Sequence, residues 1–420
     1  MKYKFYNDGE KSILKHEEKI NISNPNEEKK YFHPKMRKSF LYTFFLLIFL
    51  LINFFIIWKI EVNNKQTNIN STVHETIHEV AKKAHDFVNN SSKGILIFPI
   101  PPSNISPKVS VVIPTYNCES TILRAIRSIQ NQNFSEFEII LVNDFSTDKT
   151  SDIIENLRKE DNRIKIINNK KNMGILYTRC IGVLASQSKY IFPLDNDDMF
   201  LNKDVIDTIY NEINNGDFDI IYFKGISVYH LHDFLNKINL NKFRSFSSNK
   251  ILYQPELGDY AIKRFVLWTQ CIKSELYKKS INTYGEEKYS RYVTFFEDAI
   301  INYINNQLAK KAELLLKFGI LHIDKPWTAA KRINQINKNK YELYFIEALF
   351  DFSRNSTKVK EIVGNKIINL LNYGNFLKSL KNNKNDEKLF NSLIEKILSS
   401  QYINNKNKEL IKKKLGRKNN

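Results

Sequence analysis

Three stretches decide the reading: VSVVIPTYN at 109–117, EIILVNDFSTDKT at 138–150 and YIFPLDNDD at 190–198. Each joins a short apolar run containing β-branched residues to a polar loop. Ile122, Ala125, Ile126 and Ile129 recur at helical spacing after the first run, as do Ile153, Ile154 and Leu157 after the second. RIKIIN at 163–168 reads as a further strand, and a helix is expected over about 173–187. Apolar strands joined by helices predict a parallel α/β sheet with right-handed crossovers. Ligands of such sheets bind at the carboxyl ends of the strands. The loops 114–117, 143–148 and 195–198 would therefore meet at one rim.

Outward from this region the texture changes. Residues 1–39 are polar and aperiodic, a cytosolic tail in this reading. Residues 40–58, FLYTFFLLIFLLINFFIIW, carry no charge and are just long enough to span a ~30 Å hydrocarbon layer as a helix. Lys29, Lys30, Lys35, Arg37 and Lys38 precede the run, against Lys59 and Lys65 after it, so a single-pass type II orientation is expected. In a eukaryote the bulk of the chain would then be lumenal, in the ER or Golgi. Asn-x-Ser/Thr sequons at Asn70, Asn89, Asn90, Asn104, Asn133 and Asn355 permit glycosylation there, but an Asn-rich chain makes them by chance. Residues 59–107 read as a stem ending in a Pro-rich extended segment. The α/β domain is expected over 108–330. A strand is expected at 219–229 and a helix over 298–316. Residues 331–420 form a helical C-terminal region with a basic tail.

The chain has 420 residues and a net charge of +19, from 64 Lys and Arg against 45 Asp and Glu. Its 42% hydrophobic content excludes a wholly disordered chain. Three scattered cysteines exclude a disulfide scaffold or a CxxC metal site. The charge invites nucleic acid as a partner, but Lys412, Lys413, Lys414, Arg417 and Lys418 form a tail without a recognisable module, so none is expected. His74-Glu75-Thr76-Ile77-His78 spells a zinc-protease signature. Only a tail and an apolar span precede it, so it reads as part of the stem.

The twelve glycines include no GxG and no phosphate-binding P-loop. A diphosphate at this rim would need a cation in place of a glycine cradle. Asp195-Asn196-Asp197-Asp198 supplies the hard oxygen ligands that Mg²⁺ or Mn²⁺ prefers. A solvated turn, with Asp198 capping a helix near Asn202, is the competing reading.

Together with NMGILYTRCIGVLASQSKYIFPLDNDD at 172–198, these motifs resemble the family 2 glycosyltransferases of GT-A fold. The resemblance is dense over about 109–200 and looser to LWTQCIKSELYKK and Phe296-Glu297-Asp298. It implies a nucleotide-sugar donor, an inverting displacement, a divalent metal (Mn²⁺ or Mg²⁺) and a glycan, lipid or protein acceptor. Pro114, Thr115 and Tyr116 match the loop lining the nucleoside pocket, and Asp144 the acidic residue facing the base. Arg179 matches an Arg facing nucleotide or diphosphate. Asp195 matches the ribose-facing member of the DxD motif, which also enters the metal set, and Asp197 the metal-facing member. Asp298 is the candidate base, with Glu297 the fallback, and His322 a candidate third metal ligand. Trp268 lies where relatives place acceptor-side aromatics. Asn143 and Phe145 depart from the family's Asp and Gly. They motivate the alternatives of a non-catalytic nucleotide-sugar-binding member or a membrane-tethered basic module.

Overall fold

The structure is a computed structural model describing residues 106–229, 249–254, 256, 266–324, 334–353, 356–373, 376–381 and 383–416. The tail, the 40–58 span, the His74–His78 motif and all but the end of the stem lie outside the described residues. Among the described residues no helix is long and apolar enough to cross a membrane.

The first half follows the expected alternation: β1 (Val109–Thr115), α1 (Ile122–Gln130), β2 (Phe137–Asn143), α2 (Thr150–Glu160), β3 (Ile164–Asn168), α3 (Ile175–Ala185) and β4 (Tyr190–Pro193). β1 pairs in parallel with β2 and β4, and β2 with β3. Every residue of β1 and β2 is buried, which is why these strands are apolar without alternation. Val112, Ile140 and Val142 face one core, while Val111, Ile113, Ile139 and Leu141 face another across the sheet. Gly182 lets α3 approach the sheet closely, since a Cβ there would come within 2.5 Å of Val112.

The second half is mixed. After β5 (Met199–Phe200) come α4 (Val205–Asn215), β6 (Ile220–Tyr229), β7 (Lys250–Tyr253), β8 (Gln270–Lys273), α5 (Ser274–Tyr284), α6 (Glu286–Tyr289), α7 (Glu297–Leu308) and β9 (Lys311–Asp324). The sheet order is β3-β2-β1-β4-β8-β6-β9-β5, with β7 on β9. β8 runs antiparallel to both β4 and β6, and β9 to β5 and β7, so the expectation of a mainly parallel sheet holds for β1–β4 and for the β6–β9 pair alone. The helix expected over 298–316 ends at Leu308, because 311–324 is drawn into the sheet beside β6. The helix expected near Asn202 begins at Val205, so Asp198 does not cap it.

Among the described residues five further helices follow: α8 (Gln335–Phe352), α9 (Thr357–Asn372), α10 (Phe376–Leu380), α11 (Lys384–Ser399) and α12 (Asn405–Lys414). Asn334, Ser356, Asn383 and Asn404 cap four of them through their side chains. Their buried residues are continuous with the core under α3, α5 and α7.

Candidate active site

The loops after β1 and β2 are stitched to each other. The Asn117 amide donates to Ser146 Oγ at 3.1 Å, and Asn117 Oδ1 accepts from the Thr147 amide at 2.8 Å. Thr115 is buried, its hydroxyl donating to the Val142 carbonyl at 3.0 Å, so the hydroxyl serves the sheet. The Pro114 carbonyl accepts from Asn196 Nδ2 at 2.9 Å, tying the first loop to the Asp195–Asp198 turn. Tyr116 is exposed at the rim.

Asp144 is buried and organises the loop before α3. Its Oδ1 accepts from Asn169 Nδ2 and the Met173 amide, both at 2.7 Å, and its Oδ2 from the Gly174 amide at 2.9 Å. A carboxylate has about four acceptor positions. Three are filled from within the chain, leaving one on Oδ2.

The two family departures have different physical status. Asn143 donates through Nδ2 to Ser151 Oγ and to Asn168 Oδ1, both at 3.0 Å, which an Asp could not do. Phe145 sits at φ 64 with its ring exposed, a left-handed conformation that glycine adopts without strain.

The centre of the site is Arg179 on α3, buried almost completely. Its Nη2 lies 2.9 Å from Asp195 Oδ1, 3.2 Å from Asp298 Oδ1 and 3.8 Å from Glu297 Oε1. One guanidinium thus gathers carboxylates from the end of β4 and the start of α7. Burial disfavours its charge, but the carboxylates outweigh that and raise its pKa. Burial pushes the Asp298 carboxyl well above the ordinary range, against the pull of Arg179 and with Glu297 adding to the rise. Glu297 is also raised, by burial first.

The Asp195–Asp198 turn is held from three sides. Arg124 Nη2 donates to the Asp197 carbonyl at 2.9 Å, and Asn196 reaches Pro114. Asp198 is fully buried, with His322 Nδ1 2.7 Å from its Oδ1. The His322 ring stacks on Trp268 at 4.9 Å between centroids. Burial pushes Asp198 up; His322 is raised because the adjacent carboxylate outweighs the lowering by burial.

A divalent metal is compatible with these donors, although among the described residues no three His, Cys, Asp or Glu side chains are grouped to hold one unaided. Mg²⁺ sites commonly take one or two carboxylates and complete the shell with substrate phosphates and water. Asp195 and Asp197 offer that set, and the buried Asp198 Oδ2 lacks a hydrogen-bond partner. His322 has the carboxylate-bonded ring nitrogen typical of an oriented metal-binding imidazole.

The structure brings Asp195, Arg179, Glu297 and Asp298 together directly, with Asp197 and His322 linked to them through the turn and Asp198. Sequence reasoning missed Arg124, Asn169 and Gly174. Gly174 carried a readable signal, a glycine just before a helix; its φ is 85, and a Cβ would lie 2.9 Å from the Val293 carbonyl.

Residues 110–266 match the family described as Glycosyl transferase family 2. This segment is thus similar to the family 2 glycosyltransferases. The chain is 36% identical over 111 residues to the GalNAc(5)-diNAcBac-PP-undecaprenol beta-1,3-glucosyltransferase of Campylobacter jejuni, covering 26% of this chain and 36% of that protein. It is 29% identical over 117 residues to Glycosyltransferase GlyG of Streptococcus pneumoniae, covering 28% and 38%. The matches thus span little more than a third of those relatives. The fold is similar to that of S. aureus TarS 1-349 in complex with UDP-GlcNAc, with a TM-score of 0.52 and 18% identity over 72% of this chain and 84% of that one.

Proposed function

We propose that the protein is an inverting, metal-dependent glycosyltransferase that moves a sugar from a nucleotide-diphosphate donor, UDP-linked, to a hydroxyl of a glycan, lipid or protein. The observation that carries this reading is the gathering of Asp195, Glu297 and Asp298 around buried Arg179 beside the Asp195–Asp198 turn. It supplies acidic groups of distinct environment, Asp195 beyond the carboxyl end of β4 and Glu297 and Asp298 at the start of α7. The relative that acts on an undecaprenol-linked glycan and the TarS complex with UDP-GlcNAc support the donor and acceptor classes.

The open acceptor position on Asp144 Oδ2 suits a base N–H, and the exposed ring of Tyr116, next in chain to the Thr115 whose carbonyl accepts from the Asp144 amide, is available for stacking. Arg179 fixes the carboxylates relative to one another. Asp298 takes the acceptor hydroxyl proton as the oxygen bonds to the anomeric carbon and the diphosphate departs with the electron pair of the broken bond. Its raised pKa makes it a stronger proton acceptor than an ordinary carboxylate. Asp197 and Asp195, with His322 alongside, would hold Mg²⁺ or Mn²⁺, which supplies neutralisation of the leaving diphosphate when bound. The 40–58 segment anchors the chain in a membrane as a type II protein, an assignment tested by whether removing residues 1–58 releases it into the soluble fraction.

The site reading is tested by UDP release from a panel of UDP-sugars with Mn²⁺. Asp197→Ala should abolish release, and Asp298→Asn should retain UDP binding while losing transfer. Unchanged metal-dependent turnover in Asp197→Ala would sink the metal assignment. Full transfer by Asp298→Asn would remove that residue as base.

A further inference from the structure

We infer that helix α8 is a positioning element for the Glu297–Asp298 pair, acting through the strap of residues 290–296; the inference rests on the role proposed above for that pair. The start of α7 is only partly fixed by its own sequence, whose first turn carries Glu297 and Asp298. Its N-cap is Phe296, which makes no side-chain cap bond and stands at φ 66. A left-handed non-glycine residue costs about 1–2 kcal/mol, and an apolar cap forgoes about another 1 kcal/mol. Something outside the helix must offset this, because the Phe296 carbonyl still accepts the first helical bond, from Ile300 at 3.0 Å.

α8 supplies the offset. The Phe296 ring stacks on Phe345 at 5.7 Å with 9° between planes, and Lys366 of α9 lies over both rings. At the other end of the strap, Arg291 Nη1 is 2.5 Å from Oε2 of the buried Glu347, and its guanidinium lies over the Tyr344 ring. Lys288 bonds Asp351 at 2.8 Å. Between these anchors Val293 is fully buried, its carbonyl meeting the Leu176 amide at 3.4 Å and its backbone packed on Gly174.

The strap is therefore clamped between α3, which carries Arg179, and α8. Its last residue sets the direction in which Glu297 and Asp298 leave toward that guanidinium. A shift of about 1 Å at a reacting group can cost about a hundredfold in rate. Phe345 and Glu347 act through Phe296 and Arg291 as positioning residues.

The experiment uses the full chain. Hydrogen exchange is measured across 291–299 and across β1–β4, alongside UDP release from UDP-GlcNAc with Mn²⁺, for wild type, Phe345→Ala, Phe345→Tyr and Glu347→Gln. Phe345→Ala should raise exchange in 291–299 about tenfold or more with β1–β4 unchanged, and lower kcat about tenfold with KM within about twofold. Phe345→Tyr, which keeps the stack, should restore both. Should Phe345→Ala not fold, Glu347→Gln carries the same test with changes of about threefold. Unchanged exchange in 291–299 overturns the inference, as does exchange that rises equally in β1–β4. A wild-type protein that releases no UDP from any UDP-sugar overturns the reading of the site instead, and the exchange result still decides the strap.

Discussion

Replacing Arg179 by Met keeps an unbranched apolar stem in a position that is 1% exposed and removes the charge shared by Asp195, Asp298 and Glu297. Removing one partner of a buried ion pair costs about 3–5 kcal/mol, because the other charge stays buried and uncompensated. Two features place the expected loss near the lower end, about 3 kcal/mol. The Nε and Nη1 atoms of Arg179 make no hydrogen bonds that would be forfeited, and the carboxylates keep partial access to water. At about 2–4 °C per kcal/mol for a domain of this size, Tm should fall by about 6–12 °C. The pH dependence has a definite sign. Without the cation, the folded-state pKa values of Asp298 and Glu297, already raised, rise further above their unfolded values. Such a shift costs stability above the unfolded carboxylate pKa and costs nothing once the groups are protonated in both states. The deficit of Arg179→Met should therefore be largest near pH 8 and narrow toward pH 5. Thermal denaturation of both proteins across that range is the assay. A deficit below about 1 kcal/mol, or one that widens on acidification, would refute the idea that Arg179 neutralises a buried acidic cluster.

Three other substitutions test neighbouring parts of the argument. Gly174→Ala forces a side chain into φ 85 against the Val293 backbone, and should lower stability by about 2 kcal/mol and weaken UDP binding, read by melting and by UDP titration. Asn143→Asp restores the family's residue yet should destabilise by about 1–3 kcal/mol, since the carboxylate would face Asn168 Oδ1 without a proton to donate; a stabilised variant in chemical denaturation would contradict the pairing. Burial and Glu212 push Glu313 up to about 7 from an ordinary 4.5, so it costs stability as pH rises from 4.5 through 7. Glu313→Gln should accordingly stabilise the protein at pH 8 by about 1 kcal/mol and leave it unchanged at pH 4, as denaturant midpoints at the two pH values would report.

Within 109–193, β1, β2 and β4 were legible because burial on both faces writes continuous apolar runs into the sequence, and the loops at their ends hold the polar residues by topology alone. The antiparallel β8 was not, since QCIK is four residues without alternation, and its place between β4 and β6 depends on distant chain. The run LLLKFGI reads equally as helix or strand, and pairing with β6 decided it. In the site, the types Asp195, Arg179 and Asp298 were readable from the motif pattern. That one guanidinium would gather the carboxylates was not, because Glu297 and Asp298 lie more than a hundred residues from Arg179 and Asp195. Arg124 gave no signal, as an Arg on an amphipathic helix reads as surface.

The hydrogen bonds of Asp144 have a thermodynamic consequence. Through Asn169, Met173 and Gly174 the loop before α3 is closed by the protein's own carboxylate, so a ligand entering there finds a wall already built. The conformational entropy of that segment was given up during folding and need not be given up again on association. Nucleotide recognition at this wall would then resemble a key meeting a rigid lock, with little backbone ordering in its entropy and an association rate set by diffusion and orientation.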